Sequence, residues 1–172
     1  INTNMVIKAA GVPADSPYIA TAKKNNVPVY MSTALFAKFA AEAGATIAGI
    51  TGTRGKSTVT HLIYHALIHA VSRQGSGRER KIFLGGNVRG LSTLAMLPDV
   101  QKGAIAVLEL DSWQLQGFGD LKISPQVAVF TNLMSDHLNY YSGDKEAYFW
   151  DKANIFLHQK NGDKFIVGAG VL

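Results

Sequence analysis

The sequence predicts an α/β fold: a mainly parallel sheet with flanking helices, in which a P-loop NTPase-like central domain follows part of a Rossmann-like domain. Three observations carry this. Residues 47–72, IAGITGTRGKSTVTHLIYHALIHAVS, pass from an apolar strand through a glycine-bracketed turn into an amphipathic helix. Short apolar runs recur at 45–50, 82–84, 104–110 and 126–130, with helical or loop stretches between them. A chain of 172 residues that is 47% hydrophobic and 17% charged can bury a core large enough for one domain and part of another.

In chain order, residues 5–10 read as a buried strand and AGVPADSP as a turn, with Ser16 as an N-cap and Pro17 at the first helical position. A helix to about Asn26, a short strand over 27–30 and a helix over 32–42 follow. Gly44 ends this first part, so the expected domains are 1–44 and 45–172. In the helix after the glycine turn, Val59, Leu62, Ile63, Ala66, Leu67, Ala70 and Val71 fall on one stripe, which is expected to be core. His61, His65 and His69 stack along another face of it. A ladder without cysteine or carboxylate partners argues for a solvated face over a metal site. A helix over 144–156 and a strand over 164–168 close the chain. The opening at Ile1 in what reads as mid-strand suggests that the N-terminus is truncated.

Composition excludes several chemistries. With no cysteine there are no disulfides, thiolate metal sites or cysteine nucleophiles. No apolar run approaches a membrane span and no signal pattern opens the chain, so a soluble, cytoplasmic, monomeric protein without membrane insertion is expected. The net charge of +5 suits anionic partners. Its excess lies in Arg73, Arg78, Arg80 and Lys81 around a Gly/Ser-rich loop with no aromatic residues to stack on bases, which argues against nucleic acid.

The turn TGTRGKST has the chemistry of a phosphate site. Gly52 and Gly55 can take positive φ and let backbone N–H groups face an anion, the helix start adds its own free N–H groups, and Lys56 supplies a mobile cation. Thr53, Arg54 and Thr58 complete the loop, and Ser57 stands where the P-loop pattern puts a hydroxyl on Mg²⁺. The strict pattern asks for a further glycine at position 50, which is isoleucine here. Glu109 ends a buried apolar strand beside this loop, where an acid is costly unless a metal or hydrogen bonds satisfy it. Asn87 sits in the turn GGNVRG at a strand's carboxyl end, where ligands bind in open sheets, and reads equally as a structural turn. Asn132, Asp136 and His137 emerge together after the strand over 126–130, and a neutral imidazole there can bind a cation. Lys152, on the residues alone, reads as a surface helix lysine paired with Glu146 or Asp151.

These motifs carry a resemblance. TGTRGKST is similar to the loop of the Mur ligase family, ATP-dependent amide-forming enzymes of bacterial cell-wall synthesis, which usually read TGTNGKST; Arg54 replaces the asparagine. LELDSWQL resembles the family's LELSSFQL, with Asp111 for a serine and Ser112, Trp113 and Gln114 in pattern. Asp111 would add a second carboxylate near a metal, whereas packing is the simpler role for Trp113. TNLMSDH resembles the family's TN-x3-DH, and GGNVRG its GN-[IV]-G, with Arg89 at the last glycine. Residues 11–40 resemble the end of the uridine-nucleotide-binding domain in the branch that adds D-glutamate, although Ala9-Ala10-Gly11 replaces a Ser-Pro-Gly.

The resemblance implies ATP and two Mg²⁺ ions, one held by Ser57 and Glu109 and the other by His137 and by Lys152 carrying a CO₂-derived carbamate. It implies UDP-N-acetylmuramoyl-L-alanine and D-glutamate as substrates, joined through an acyl phosphate, with Lys56, His137 and Lys152 catalytic. Asn87 and Ser112 would join the loop in binding the nucleotide or substrate. The start of the N-terminal domain, the rest of the central domain and the C-terminal domain would lie outside the chain. Three alternatives remain: a sister ligase or folylpolyglutamate synthetase, a nucleotide-binding module without ligase activity, and a nucleic-acid-dependent NTPase.

Overall fold

The computed structural model describes residues 3–13, 15–73, 80–134 and 141–171. Near the start, β1 (Val6–Lys8) and β2 (Val29–Met31) pair in parallel, joined by α1 (Pro17–Lys24). Ser16 holds the cap position before Pro17, yet its hydroxyl makes no capping bond. The helix α2 (Ser32–Glu42) leads into the main sheet.

That sheet is built from β3 (Thr46–Thr51), β4 (Ile82–Gly86), β5 (Ile105–Glu109), β6 (Val127–Asn132) and β7 (Lys164–Gly170), in the order β4-β5-β3-β6-β7. Every pairing is parallel. The chain leaves β3 through α3 (Lys56–Arg73) to the edge strand β4, returns to β5, and then crosses β3 to form β6 on its other side. Strand order therefore reverses at β3, and the crevice at its carboxyl end is where such sheets bind ligands. A 3-10 segment (Leu94–Asp99) precedes β5, α4 (Ser112–Asp120) follows it, and α5 (Lys145–Ala153) lies between β6 and β7.

The two faces of the sheet are sorted by alternation. Ile47, Ala106, Leu108, Leu110, Ala128 and Phe130 join Ala34, Phe36, Ala37 and Ala40 of α2 and Leu115 and Phe118 of α4 in one buried cluster. Side chains of odd-numbered β5 residues, Glu109 among them, therefore point to the opposite face, against which α3 packs. The cluster runs through Met31 and Ala45 without a break, so the core is continuous across Gly44. No helix among the described residues is long and apolar enough to cross a membrane.

The stripe expected on α3 is turned relative to the sheet. Leu62 is 68% exposed and Ala66 and Ala70 are also exposed, whereas Val59, Thr60, Ile63, Tyr64, Leu67, Ile68 and Val71 turn inward. The apolar arc of this helix is wider than the surface the sheet offers it. Which half is covered depends on how the loop before it sets its rotation. His61 and His65 lie on the exposed side with ring centroids 6.3 Å apart.

Candidate active site at the carboxyl edge of the sheet

The loop after β3 is short. Ile50, at the position where the longer P-loop pattern has glycine, is still inside the strand, fully buried and in register with Glu109 of β5. Strand geometry ends at Thr51 and the helix starts at Lys56, leaving Gly52 to Gly55 as the turn. Gly52 has φ +141°, and a Cβ placed there would lie 2.0 Å from Thr131 Oγ1. Gly55 has φ +80° with nothing within 4 Å of the same construction, so conformation alone requires it.

The backbone donors of the turn divide into two groups. The N–H of Thr53 donates to Asn132 O at 2.9 Å, and that of Arg54 to Asn132 Oδ1 at 2.9 Å. These two amides tie the loop to the end of β6 and are not available to an anion. The first bond of the helix runs from Val59 N–H to Gly55 O at 3.0 Å. No described residue accepts from the N–H groups of Gly55, Lys56, Ser57 or Thr58. These are the four unsatisfied donors of a helix start, and they lie at the strand-order reversal with the positive end of the helix dipole. Lys56 folds back to donate from Nζ to Thr53 O at 3.1 Å, and the Arg54 side chain is exposed.

Behind the loop lies Lys152. It is 2% exposed, and its Nζ donates to Gly52 O at 3.1 Å, lies 3.5 Å from Thr51 Oγ1 and sits 4.7 Å from the ring centre of Tyr148. The surface reading of this lysine fails. Asp151 instead accepts from Tyr141 OH at 2.8 Å and Gln116 Nε2 at 2.7 Å, and Glu146 accepts from Trp150 Nε1 at 3.2 Å. Residues 151 and 152 point to different sides of α5, so the charged neighbour in sequence is not the neighbour in space.

Glu109 is 4% exposed at the end of β5, on the sheet face that carries α3 and therefore Ser57 in its first turn. No described residue hydrogen-bonds its carboxylate. Its backbone carbonyl accepts the Asn87 N–H at 2.8 Å, which brings the exposed Asn87 to the same edge. Arg89 is exposed just beyond it.

Asp111 has a structural task that the sequence reading missed. Its Oδ1 accepts the Gln114 N–H at 2.7 Å, and Gln114 Oε1 accepts the Asp111 N–H at 3.1 Å, a reciprocal cap that starts α4. Gln114 Nε2 then donates to Thr33 Oγ1 of α2 at 3.1 Å. The D-x-x-Q spacing was the available signal. Serine, the residue in the pattern that LELDSWQL resembles, also caps helices, so the exchange keeps a cap. Asp111→Ala should cost about 1 kcal/mol in urea unfolding and Asp111→Ser close to nothing. Equal losses in both variants would contradict the capping role. Ser112, next in the chain, is buried in the first turn of α4, with Trp113 half-buried beside it.

Lys56, Ser57, Glu109, Asn87 and Lys152 thus reach one edge from four separate segments, while Asp136 and His137, like Arg78, lie outside the described residues. The stem of that segment touches the loop: Thr53 Oγ1 accepts the Met134 N–H at 2.9 Å and donates to Met134 O at 3.2 Å.

Comparisons with known proteins agree with this fold. The Mur ligase middle domain model matches residues 50–170. The chain is 36% identical over 156 residues to a UDP-N-acetylmuramoylalanine–D-glutamate ligase of Pelodictyon phaeoclathratiforme, covering 91% of this chain and 32% of that protein. It is 37% identical over 155 residues to a UDP-N-acetylmuramoyl-L-alanine–L-glutamate ligase of Salinispora tropica, covering 90% and 30%. The chain thus spans about a third of the length of the curated relatives it matches. Among solved structures, the UDP-N-acetylmuramate-alanine ligase MurC of Thermotoga maritima aligns with TM-score 0.58 and 22% identity, covering 99% of this chain and 36% of that one. The MurF ligase of the same organism in complex with ADP aligns with TM-score 0.57 and 24% identity, covering 96% and 36%. These two show the fold. With the family model matched over most of its length, the chain belongs to the Mur ligase family.

Proposed function

We propose that this chain is the nucleotide-binding part of an ATP-dependent ligase of peptidoglycan precursor synthesis, one that joins D-glutamate to UDP-N-acetylmuramoyl-L-alanine in the cytoplasm. The observation that carries the reading is the set of four unengaged N–H groups, Gly55 to Thr58, beside Lys56. They form a cradle for a polyphosphate. The substrate carboxylate oxygen would attack the γ-phosphorus while its bond to the β–γ bridging oxygen breaks and ADP leaves. The amine of the amino acid would then attack the acyl carbon, lose a proton and expel phosphate. Lys56 and the free N–H groups stabilise the charge on the transferring phosphoryl group; Arg54, Thr53, Gly52, Asn87 and Ser112 line or support the site.

The residues present fit a divalent cation. Glu109 is a nearly buried carboxylate without a hydrogen-bond partner among the described residues, and Ser57 stands on the same face of the sheet. These two would hold Mg²⁺, which when bound neutralises phosphate oxygens. A second ion at His137 and Lys152, with Lys152 converted by CO₂ to a carbamate, is the finer part of the proposal. The burial of Lys152 with its Nζ against the Gly52 carbonyl supports it, because this holds the lysine beside the loop and out of bulk water. The first 44 residues are assigned to the substrate-binding domain of the whole enzyme.

A second reading follows from the relative named for L-glutamate, which is as similar as those named for D-glutamate. A third treats this chain as a binding module without turnover. Titration of the chain with ATP and Mg²⁺ should show saturable binding. Phosphate release with UDP-N-acetylmuramoyl-L-alanine and either glutamate enantiomer would identify the amino acid. Binding without release favours the module, and no binding at all overturns the nucleotide site.

A further inference from the structure

The carboxamide of Asn132 accepts the Arg54 N–H through Oδ1 at 2.9 Å and donates through Nδ2 to Arg54 O at 3.0 Å. Only one orientation of the amide satisfies both bonds. Thr131 adds its hydroxyl to the same carbonyl at 2.7 Å, with Thr51 O at 3.2 Å. The Asn132 carbonyl accepts the Thr53 N–H at 2.9 Å. The peptide units on both sides of Thr53 are thus gripped from β6, immediately before the four donors that remain free.

We propose that Asn132 and Thr131 are positioning residues of the nucleotide site: by gripping both polar atoms of Arg54 they set the direction in which the Gly55–Thr58 N–H groups point. This rests on the nucleotide-binding reading above. The grip is on main-chain atoms and is indifferent to the side chain at 54. That accounts for an exposed arginine at this position. Without the grip, the φ +80° turn at Gly55 would be held from the helix side only. Donors that must be preorganised around a polyphosphate would then sample other directions.

The experiment measures Mg-ATP and tripolyphosphate affinity calorimetrically for this chain, with thermal unfolding of each unliganded variant. Asn132→Ala and Thr131→Val should each weaken both ligands tenfold or more. Thr131→Ser, which keeps the hydroxyl, should stay within threefold of the parent. Tripolyphosphate lacks the base, so its parallel loss places the effect at the phosphates. A role in folding alone would lower the unfolding temperature without separating Thr131→Ser from Thr131→Val in affinity, and that pattern overturns the proposal. So do unchanged affinities in Asn132→Ala and Thr131→Val when the parent binds. Should Asn132→Ala fail to fold, the two Thr131 variants decide. A parent chain that binds neither ligand refutes the nucleotide site itself, a result distinct from the others.

Discussion

Gly52→Ala is expected to destabilise the chain by roughly 3 kcal/mol or more and to abolish nucleotide binding. Two independent penalties add. The φ of +141° belongs to a region that residues with a Cβ scarcely enter, and the new methyl would lie 2.0 Å from the Thr131 hydroxyl oxygen. That hydroxyl cannot simply swing away, because it donates to Arg54 O at 2.7 Å. The carbonyl of Gly52 also accepts from buried Lys152 at 3.1 Å, so rotating the peptide to relieve the strain would break that bond. Urea unfolding of Gly52→Ala, Thr131→Ala and the double variant separates the two penalties. The double variant should recover the steric part and keep the conformational part. If Gly52→Ala alone unfolds at the parent's urea concentration, the turn does not have the geometry described.

Lys56→Ala should do the reverse, leaving the fold and removing the ligand. The only hydrogen bond from Lys56 Nζ among the described residues is to Thr53 O at 3.1 Å, on a partly buried side chain, so stability should change by no more than about 1 kcal/mol. Against a triphosphate the same ammonium makes charge-assisted bonds, and losing them should raise the Kd for Mg-ATP about a hundredfold, or ~3 kcal/mol. Lys56→Arg should recover little, because a planar guanidinium cannot replace a compact ammonium at the end of a flexible stem. Parent-like ATP affinity in Lys56→Ala would remove this lysine from the phosphate site.

Much of the architecture was legible because strand and helix signals here are strong and local. The helix over 32–42 matches to the residue, and the apolar runs become β3, β4, β5 and β6 with ends shifted by a few positions. The helix after Glu109 was not anticipated: Gly117 and Gly119 lower its intrinsic propensity, and what starts it is the reciprocal cap between Asp111 and Gln114. Glu109 was legible as a buried acid at a strand end because an apolar run leads straight into it. The division of the loop's N–H groups was invisible, since it depends on an asparagine 78 residues away.

The sequence by itself determined the order of the strands and of every α-helix but α4, the glycine turn at 52–55 and the family to which its motifs point, because each of these depends on residues adjacent in the chain. Only the tertiary structure decided which half of α3 is covered, that Lys152 is buried under the loop, and which backbone donors stay free for an anion. Those outcomes depend on how β6 and α5 close against β3, a matter of contacts between segments roughly a hundred residues apart that no local pattern encodes.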